Sequence, residues 1–173
     1  MDKNNRQIIF EFDDTDGNYQ GYFVRKAARG ILLKDGLLGI IYMANIDCHK
    51  FPGGGMQPNE TPEETFKREV KEETGCNCEL LLDNGDITLE FRSEHKLAQI
   101  SYIFIAKAVG EASLPSPEKD EREEGLTLKW VTPLNAEGLI SNSNPTNYDG
   151  LVMKARDQKI FEFYKDKLLD FSR

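Results

Sequence analysis

Residues 54–76 read GGMQPNETPEETFKREVKEETGC, and local chemistry bounds a helix inside this stretch. Thr61 is a good N-cap, Pro62 suits the first helical position, and Glu64, three residues after Thr61, completes a capping box. Gly75 is a natural stop, because glycine accepts the left-handed backbone that closes a helix. The expected helix covers residues 62–74. On it, Glu72 lies about 60° to one side of Glu69 and Glu73 about 40° to the other. Three carboxylates thus share one narrow stripe. Like charges on one helix face cost some tenths of a kcal/mol per pair, and a divalent cation would remove that cost. Hard oxygen donors of this kind suit magnesium or manganese. Arg68 can pair with Glu72 one turn on, or reach back to Glu60 and fix the preceding loop. Phe66 and Val70, also one turn apart, would anchor the helix to a core. Ahead of the helix, Gly53, Gly54 and Gly55 remove side chains where a backbone turns sharply or approaches a ligand closely.

Upstream of this segment, residues 27–33 and 37–43 are apolar runs separated by Lys34, Asp35 and Gly36. An Asp-Gly pair between two strand-like runs predicts a hairpin. Residues 8–12 alternate and predict a further strand. Residues 13–18 form a turn that lacks the first and last ligands of a calcium loop, so calcium is rejected there. Downstream, residues 79–82, 87–91, 101–109 and 126–131 read as strands, and residues 135–140 as a short helix. Residues 115–124 form a charged, proline-bearing loop. Leu151, Val152, Ala155, Phe161, Tyr164, Leu168 and Leu169 recur at helical spacing, which predicts a last helix packing on the core. The plan is a mixed sheet with few helices in one α/β (α+β) domain spanning residues 1–173.

Composition sets the outer limits. The chain has 173 residues, 39% of them hydrophobic and 30% charged, which suits one globular domain. Its net charge of −8 argues against holding a long nucleic acid by charge. An acidic protein that handles phosphates needs a cation from outside. Residues 1–7 are polar and lack the apolar stretch of a signal peptide. The longest apolar run, residues 37–44, is too short to span a bilayer. The expected location is cytoplasmic, without a membrane partner. Cys48, Cys76 and Cys78 make no disulfide framework, and with only His49 and His95 beside them they offer no zinc set; they read as structural.

Gly54, Glu60, Arg68, Glu69, Val70, Glu72, Glu73 and Gly75 stand in the order and spacing of the Nudix box, so the chain resembles the Nudix hydrolase family, in its MutT-like branch. Only Cys76 departs, replacing the usual aliphatic residue, and cysteine packs as a small hydrophobe. The hairpin running into Phe51-Pro52-Gly53-Gly54, and Trp130 and Pro133 near the last strand, are also similar to the family. The resemblance implies an α/β/α sandwich around a mixed β-sheet, with the box at residues 54–76 as loop, helix and loop. It implies that Glu69, Glu72 and Glu73 hold magnesium (or manganese), with the Gly54 carbonyl as a further ligand. Glu69 is the box position linked to the catalytic water, and Glu60 and Arg68 brace the site. The implied reaction is metal-dependent hydrolysis of a phosphoanhydride bond in a nucleoside diphosphate linked to another moiety.

Some candidates lie outside the box. A further carboxylate from the acidic loop would be Glu123. Arg25, Arg29 and Lys50, on or near the strands approaching the box, could contact substrate phosphates, because arginine forks onto phosphate readily. Phe23, Tyr102, Phe104 and Tyr148 could stack on a base, although core packing is the commoner role. Marks of ADP-ribose, dinucleoside-polyphosphate and NADH hydrolases are missing. By elimination the expected substrate is a small-molecule nucleotide cleaved by a MutT-like nucleoside triphosphate pyrophosphohydrolase. ADP-ribose, nucleotide sugars and a non-catalytic nucleotide-sensing role stay open. Family members often form homodimers, and no sequence feature here decides that point.

Overall fold

The computed structural model describes residues 6–82, 85–116 and 125–171, the side chains of 169 and 170 excepted. The strands are β1 (Ile8–Asp13), β2 (Phe23–Lys34), β3 (Leu37–Met43), β4 (Cys48–Lys50), β5 (Gly53–Gly55), β6 (Asn77–Leu82), β7 (Ile87–Arg92), β8 (Leu97–Val109) and β9 (Leu126–Val131). The helices are α1 (Pro62–Thr74), α2 (Pro133–Asn142) and α3 (Tyr148–Phe171). The main sheet path runs β1-β7-β8-β2-β3-β4, with β5 on β2, β6 on β8 and β9 on β3. The β1·β7 and β2·β8 pairs are parallel and the others antiparallel, so the sheet is mixed.

The expected hairpin forms, and Asp35 and Gly36 both take positive φ, 50° and 75°, the backbone of a two-residue turn whose twist matches its strands. Its strands separate at once. Only Leu33↔Leu38 and Lys34↔Leu37 pair; beyond them β2 turns to β8 and β5, and β3 to β4 and β9. The divergence opens the sheet beside the glycine-rich segment. That segment, expected as a loop, is instead the strand β5, antiparallel to β2 through Ala27↔Gly55, Ala28↔Gly54 and Arg29↔Gly53.

Alternation along β2 and β8 sends successive side chains to opposite faces. Ile31, Leu33, Ile103 and Ile105 pack with Ala136 and Ile140 of α2 and with Ile160, Phe161, Tyr164 and Leu168 of α3. Ala28, Leu32, Phe104 and Ala106 pack with Phe66 and Val70 of α1 and with Cys76 and Cys78. Phe66 lies 5.3 Å from Phe104, ring centroid to centroid. The result is the expected three-layer α+β arrangement, helix α1 on one side of the sheet and α2 with α3 on the other. All three cysteines are buried and free. Among the described residues no helix is long and apolar enough to cross a membrane.

The C-terminal stripe is buried at Val152, Phe161, Tyr164 and Leu168, while Leu151 is exposed. Val152, Arg156, Ile160, Tyr164 and Leu168 follow one another at i+4 spacing and are all buried, so an arginine occupies a core position of α3. Strand β7 shows the matching anomaly. Its inward residues are the polar Thr88, Glu90 and Arg92, facing the α3 side together with Gln99 and Ser101 of β8.

Candidate active site

Helix α1 runs over Pro62–Thr74 as its caps dictate. The Thr61 hydroxyl accepts from Glu64 N, Glu64 accepts from Thr61 N at 2.8 Å, and Gly75 closes the helix at φ 73°. Arg68, mid-helix, is a hub of hydrogen bonds. Its Nε donates to Glu60 Oε1 at 2.7 Å, and one terminal nitrogen donates to Gly55 O at 2.9 Å and to Glu60 Oε2 at 3.1 Å. The other donates to Glu69 Oε1 and Glu72 Oε2, each at 2.8 Å. Both expected pairings of Arg68 therefore exist at once. Glu60 also accepts from Gln57 N and the Thr65 hydroxyl, so it ties loop to helix. The Arg68 hydrogen bonds hold its carboxyl at about 2.

Glu73 points the other way along the stripe. Its Oε2 accepts from Gly53 N at 2.8 Å and its Oε1 from Lys50 Nζ at 2.5 Å. The Glu73 side chain is fully buried and that of Lys50 is 8% exposed. Between these pairs lies Glu69. Burial first, and then the charge of Glu73, push its carboxyl up to about 7. A Cβ on Gly54 would stand 2.5–2.6 Å from the Glu69 carboxylate, so the glycine lets backbone and acid meet.

The three glycines of β5 alternate faces like any strand. Gly54 meets the acids of α1; a Cβ on Gly55 would meet Arg25 at 2.9 Å; one on Gly53, whose φ is 142°, would collide with the Ala28 backbone and with Arg29. A strip of backbone thus separates a carboxylate stripe from a cationic cleft. That cleft measures about 260 Å³ and is lined by Arg25, Arg29, Lys50, Gly53, Gly54, Arg92, Gln99, Asp149 and Arg156, with Met43 and Met153.

The NUDIX domain model matches residues 24–149. The chain belongs to the Nudix family. Among curated proteins it is similar to the 8-oxo-dGDP phosphatase NUDT18 of Mus musculus, at 35% identity over 95 residues, which is 51% of this chain and 27% of that protein. The Homo sapiens protein of the same name matches at 34% over 95 residues, with the same coverage. The aligned part thus spans about a quarter of these relatives. Among solved structures, a NUDIX hydrolase from Nitrosomonas europaea superposes with a TM-score of 0.58 at 13% identity, over 78% of this chain and 88% of that one; this likeness concerns the fold.

Within this Nudix site the structure brings together Gly54, Glu60, Arg68, Glu69, Glu72 and Glu73. Arg25, Arg29 and Lys50 reach the adjoining cleft. Glu123 lies outside the described residues. Of the aromatic candidates, Phe104 is core, Phe23 is exposed, Tyr102 packs against the second core cluster and Tyr148 donates to Asp14 Oδ2 at 2.7 Å. Among the described residues no three acidic, histidine or cysteine side chains converge as a ready-made metal cluster; Arg68 pairs with Glu69 and Glu72, and Lys50 with Glu73. The donor set still suits a hard divalent cation: carboxylates whose burial, and then mutual charge, raise Glu69 are stabilised by a positive ion between them.

Sequence reasoning missed Arg92, Arg156 and the carboxylates that hold them. Arg92 Nε donates to Glu90 at 2.9 Å and its Nη1 to Asp149 at 2.8 Å. Arg156 donates to Asp157 at 2.6 Å and to Glu90 at 3.3 Å; Asp157 accepts from Phe51 N at 2.8 Å. The signal for Arg156 was present as a charged residue at an i+4 position of an apolar stripe.

Proposed function

We propose that this chain is a divalent-metal-dependent Nudix pyrophosphohydrolase acting on a nucleoside diphosphate derivative. The observation that carries the reading is the pair of carboxylates, Glu69 and Glu73, buried side by side against the glycine strand. Glu69, Glu72 and Glu73, with the Gly54 carbonyl, would hold magnesium or manganese. When bound, such an ion polarises phosphoryl oxygens and lowers the pKa of a bound water. Glu69, held in the stripe beside Gly54, would accept the proton of the attacking water. Glu60 and Arg68 hold the stripe in register with β5. Lys50 and Gly53 N fix Glu73, and Lys50 adds positive charge on the side where substrate phosphates would lie. Attack on phosphorus then breaks a P–O–P bridge, leaving two phosphate-bearing products.

For the substrate, the similarity to proteins named 8-oxo-dGDP phosphatase puts 8-oxo-dGDP first, alongside the MutT-like triphosphate reading. The test is nucleoside monophosphate formation, read by chromatography, from 8-oxo-dGDP, 8-oxo-dGTP, dGTP, ADP-ribose and UDP-glucose with magnesium, beside Glu73→Gln checked for folding by circular dichroism. Turnover that needs metal and drops at least 10²-fold in the variant supports the reading and names the substrate. Metal-supported nucleotide binding with no turnover of any panel member would replace it with a sensing role.

A further inference from the structure

A different opening lies between β9, β4 and helix α2. It measures about 440 Å³, and its lining includes His49, Lys129, Val131, Leu134, Gly138 and Leu139. None of these belongs to the acid stripe or to the cleft behind β5. His49 is buried, and hydrogen bonds fix its tautomer. The Ser143 hydroxyl donates its one proton to Leu139 O at 3.0 Å and accepts from His49 N at 2.9 Å. Its 3.0 Å contact with His49 Nδ1 therefore has the imidazole as donor. That leaves a lone pair on Nε2, which accepts from Lys129 Nζ at 3.2 Å. Burial first, and the Lys129 charge second, hold the imidazole below its ordinary range.

An ammonium has three donors. For Lys129 the His49 lone pair takes one, and the Tyr42 ring faces the charge at 4.5 Å. Among the described residues no carboxylate forms an ion pair with it, whereas Lys107, Lys159 and Lys165 each have one. The neighbouring Asp47 accepts from the Tyr42 hydroxyl instead, at 3.2 Å. Gly138 is an independent observation. It stands inside α2, where glycine weakens a helix relative to alanine, and a Cβ there would meet nothing within 4 Å. One turn before it, Leu134 is 76% exposed. Open space and apolar surface thus adjoin a cation that lacks a counterion.

We propose that this pocket binds a small amphipathic carboxylate, a free aliphatic acid, with its head on Lys129 and its tail along Leu134, Gly138 and Leu139. Pockets for small molecules combine apolar walls with a few placed polar groups. The volume equals roughly fifteen waters at ~30 Å³ each, which suits an acid of about six to eight carbons. The ammonium supplies a charge-assisted hydrogen bond to the head, and withdrawal of the tail from water supplies the rest. No part of this depends on the pyrophosphohydrolase reading.

The test titrates butyrate, hexanoate, octanoate and the uncharged hexanamide into wild type, Lys129→Met and Gly138→Leu by calorimetry, with a melting curve of each free protein. Wild type should bind hexanoate saturably, more tightly as the chain lengthens, by up to roughly fourfold per buried methylene. Hexanamide should bind at least tenfold more weakly. Lys129→Met should lose at least tenfold for hexanoate and treat acid and amide alike. Gly138→Leu should melt no lower than wild type and bind none of the series, because its side chain fills the place of the tail. Hexanoate that fails to bind wild type, or hexanamide that matches it, overturns the proposal; so does unchanged hexanoate binding in Gly138→Leu. An N-acetylated tetrapeptide ending in leucine that binds more tightly than octanoate would overturn the free acid in favour of a peptide chain end.

Discussion

The Lys50 ammonium donates to Glu73 Oε1 at 2.5 Å and to Gly53 O at 3.2 Å, so one buried cation joins β4, β5 and the acid stripe of α1. Removing one member of a buried ion pair leaves its partner's charge uncompensated, at about 3–5 kcal/mol. Lys50→Met should lower stability by that order in EDTA. Magnesium should recover a larger share of the loss than it adds to wild type, because the ion supplies positive charge to Glu73. Urea denaturation with and without magnesium measures both; an equal magnesium increment in the two proteins would contradict the placing of metal beside Glu73.

Gly53 and Gly54 should respond differently to alanine. At Gly53 the φ of 142° and the contact with β2 backbone leave no room for a Cβ, and Gly53→Ala should cost about 1–3 kcal/mol of stability. At Gly54 the three atoms nearest a new Cβ all belong to the end of the Glu69 side chain, which can swing away. Gly54→Ala should therefore fold nearly as well as wild type and lose at least tenfold in kcat. Paired melting curves and steady-state rates separate the two expectations.

Arg68→Lys is not conservative here. The arginine spreads over Glu60, Gly55 O, Glu69 and Glu72, a fan that a single ammonium cannot reproduce. Stability should fall by about 1–3 kcal/mol, and the metal dependence of the rate should shift to higher magnesium as Glu60 and the stripe lose register. A magnesium titration of the rate in both proteins is the check.

Stability should depend on pH through Glu69. Its folded pKa of about 7 lies above the unfolded value of about 4.3. Between those limits the folded state keeps a proton that the unfolded state has released, so stability falls as pH rises. The loss approaches about 3 kcal/mol by pH 8 in metal-free protein. Glu60 acts oppositely, contributing stability above about pH 4.3 that is lost as pH falls toward 2, below the range 5–8; within that range His49, whose imidazole burial holds below its ordinary value, opposes Glu69 by losing stability as pH falls. The denaturation midpoint should fall more from pH 5 to pH 8 in EDTA in wild type than in Glu69→Gln, where His49 leaves the midpoint level or rising.

Helix α1 was legible to the residue because its ends are set by neighbours in sequence: a threonine hydroxyl, a proline ring, a glutamate three residues on and a glycine that turns left-handed. The acid stripe followed from helical geometry alone. The hairpin turn was legible for the same reason, and its immediate opening was not, since β8 and β9, which claim β2 and β3, lie far away in the chain. Gly53–Gly55 read as a loop because glycine carries no strand signal; pairing with β2 makes it a strand.

The sequence by itself determined the family, the bounds of α1 and the three carboxylates on one face, all consequences of spacing within a few residues. Tertiary structure alone decided which cations meet those carboxylates and what lies behind them. Lys50 reaches Glu73 because β4 and β5 fold across the end of α1. Arg29, Glu90 and Arg156 converge because β2, β7 and α3 pack together, over separations of 66 residues between Glu90 and Arg156. Local patterns encode capping and facing; they do not encode which distant side chains a closed core will press together.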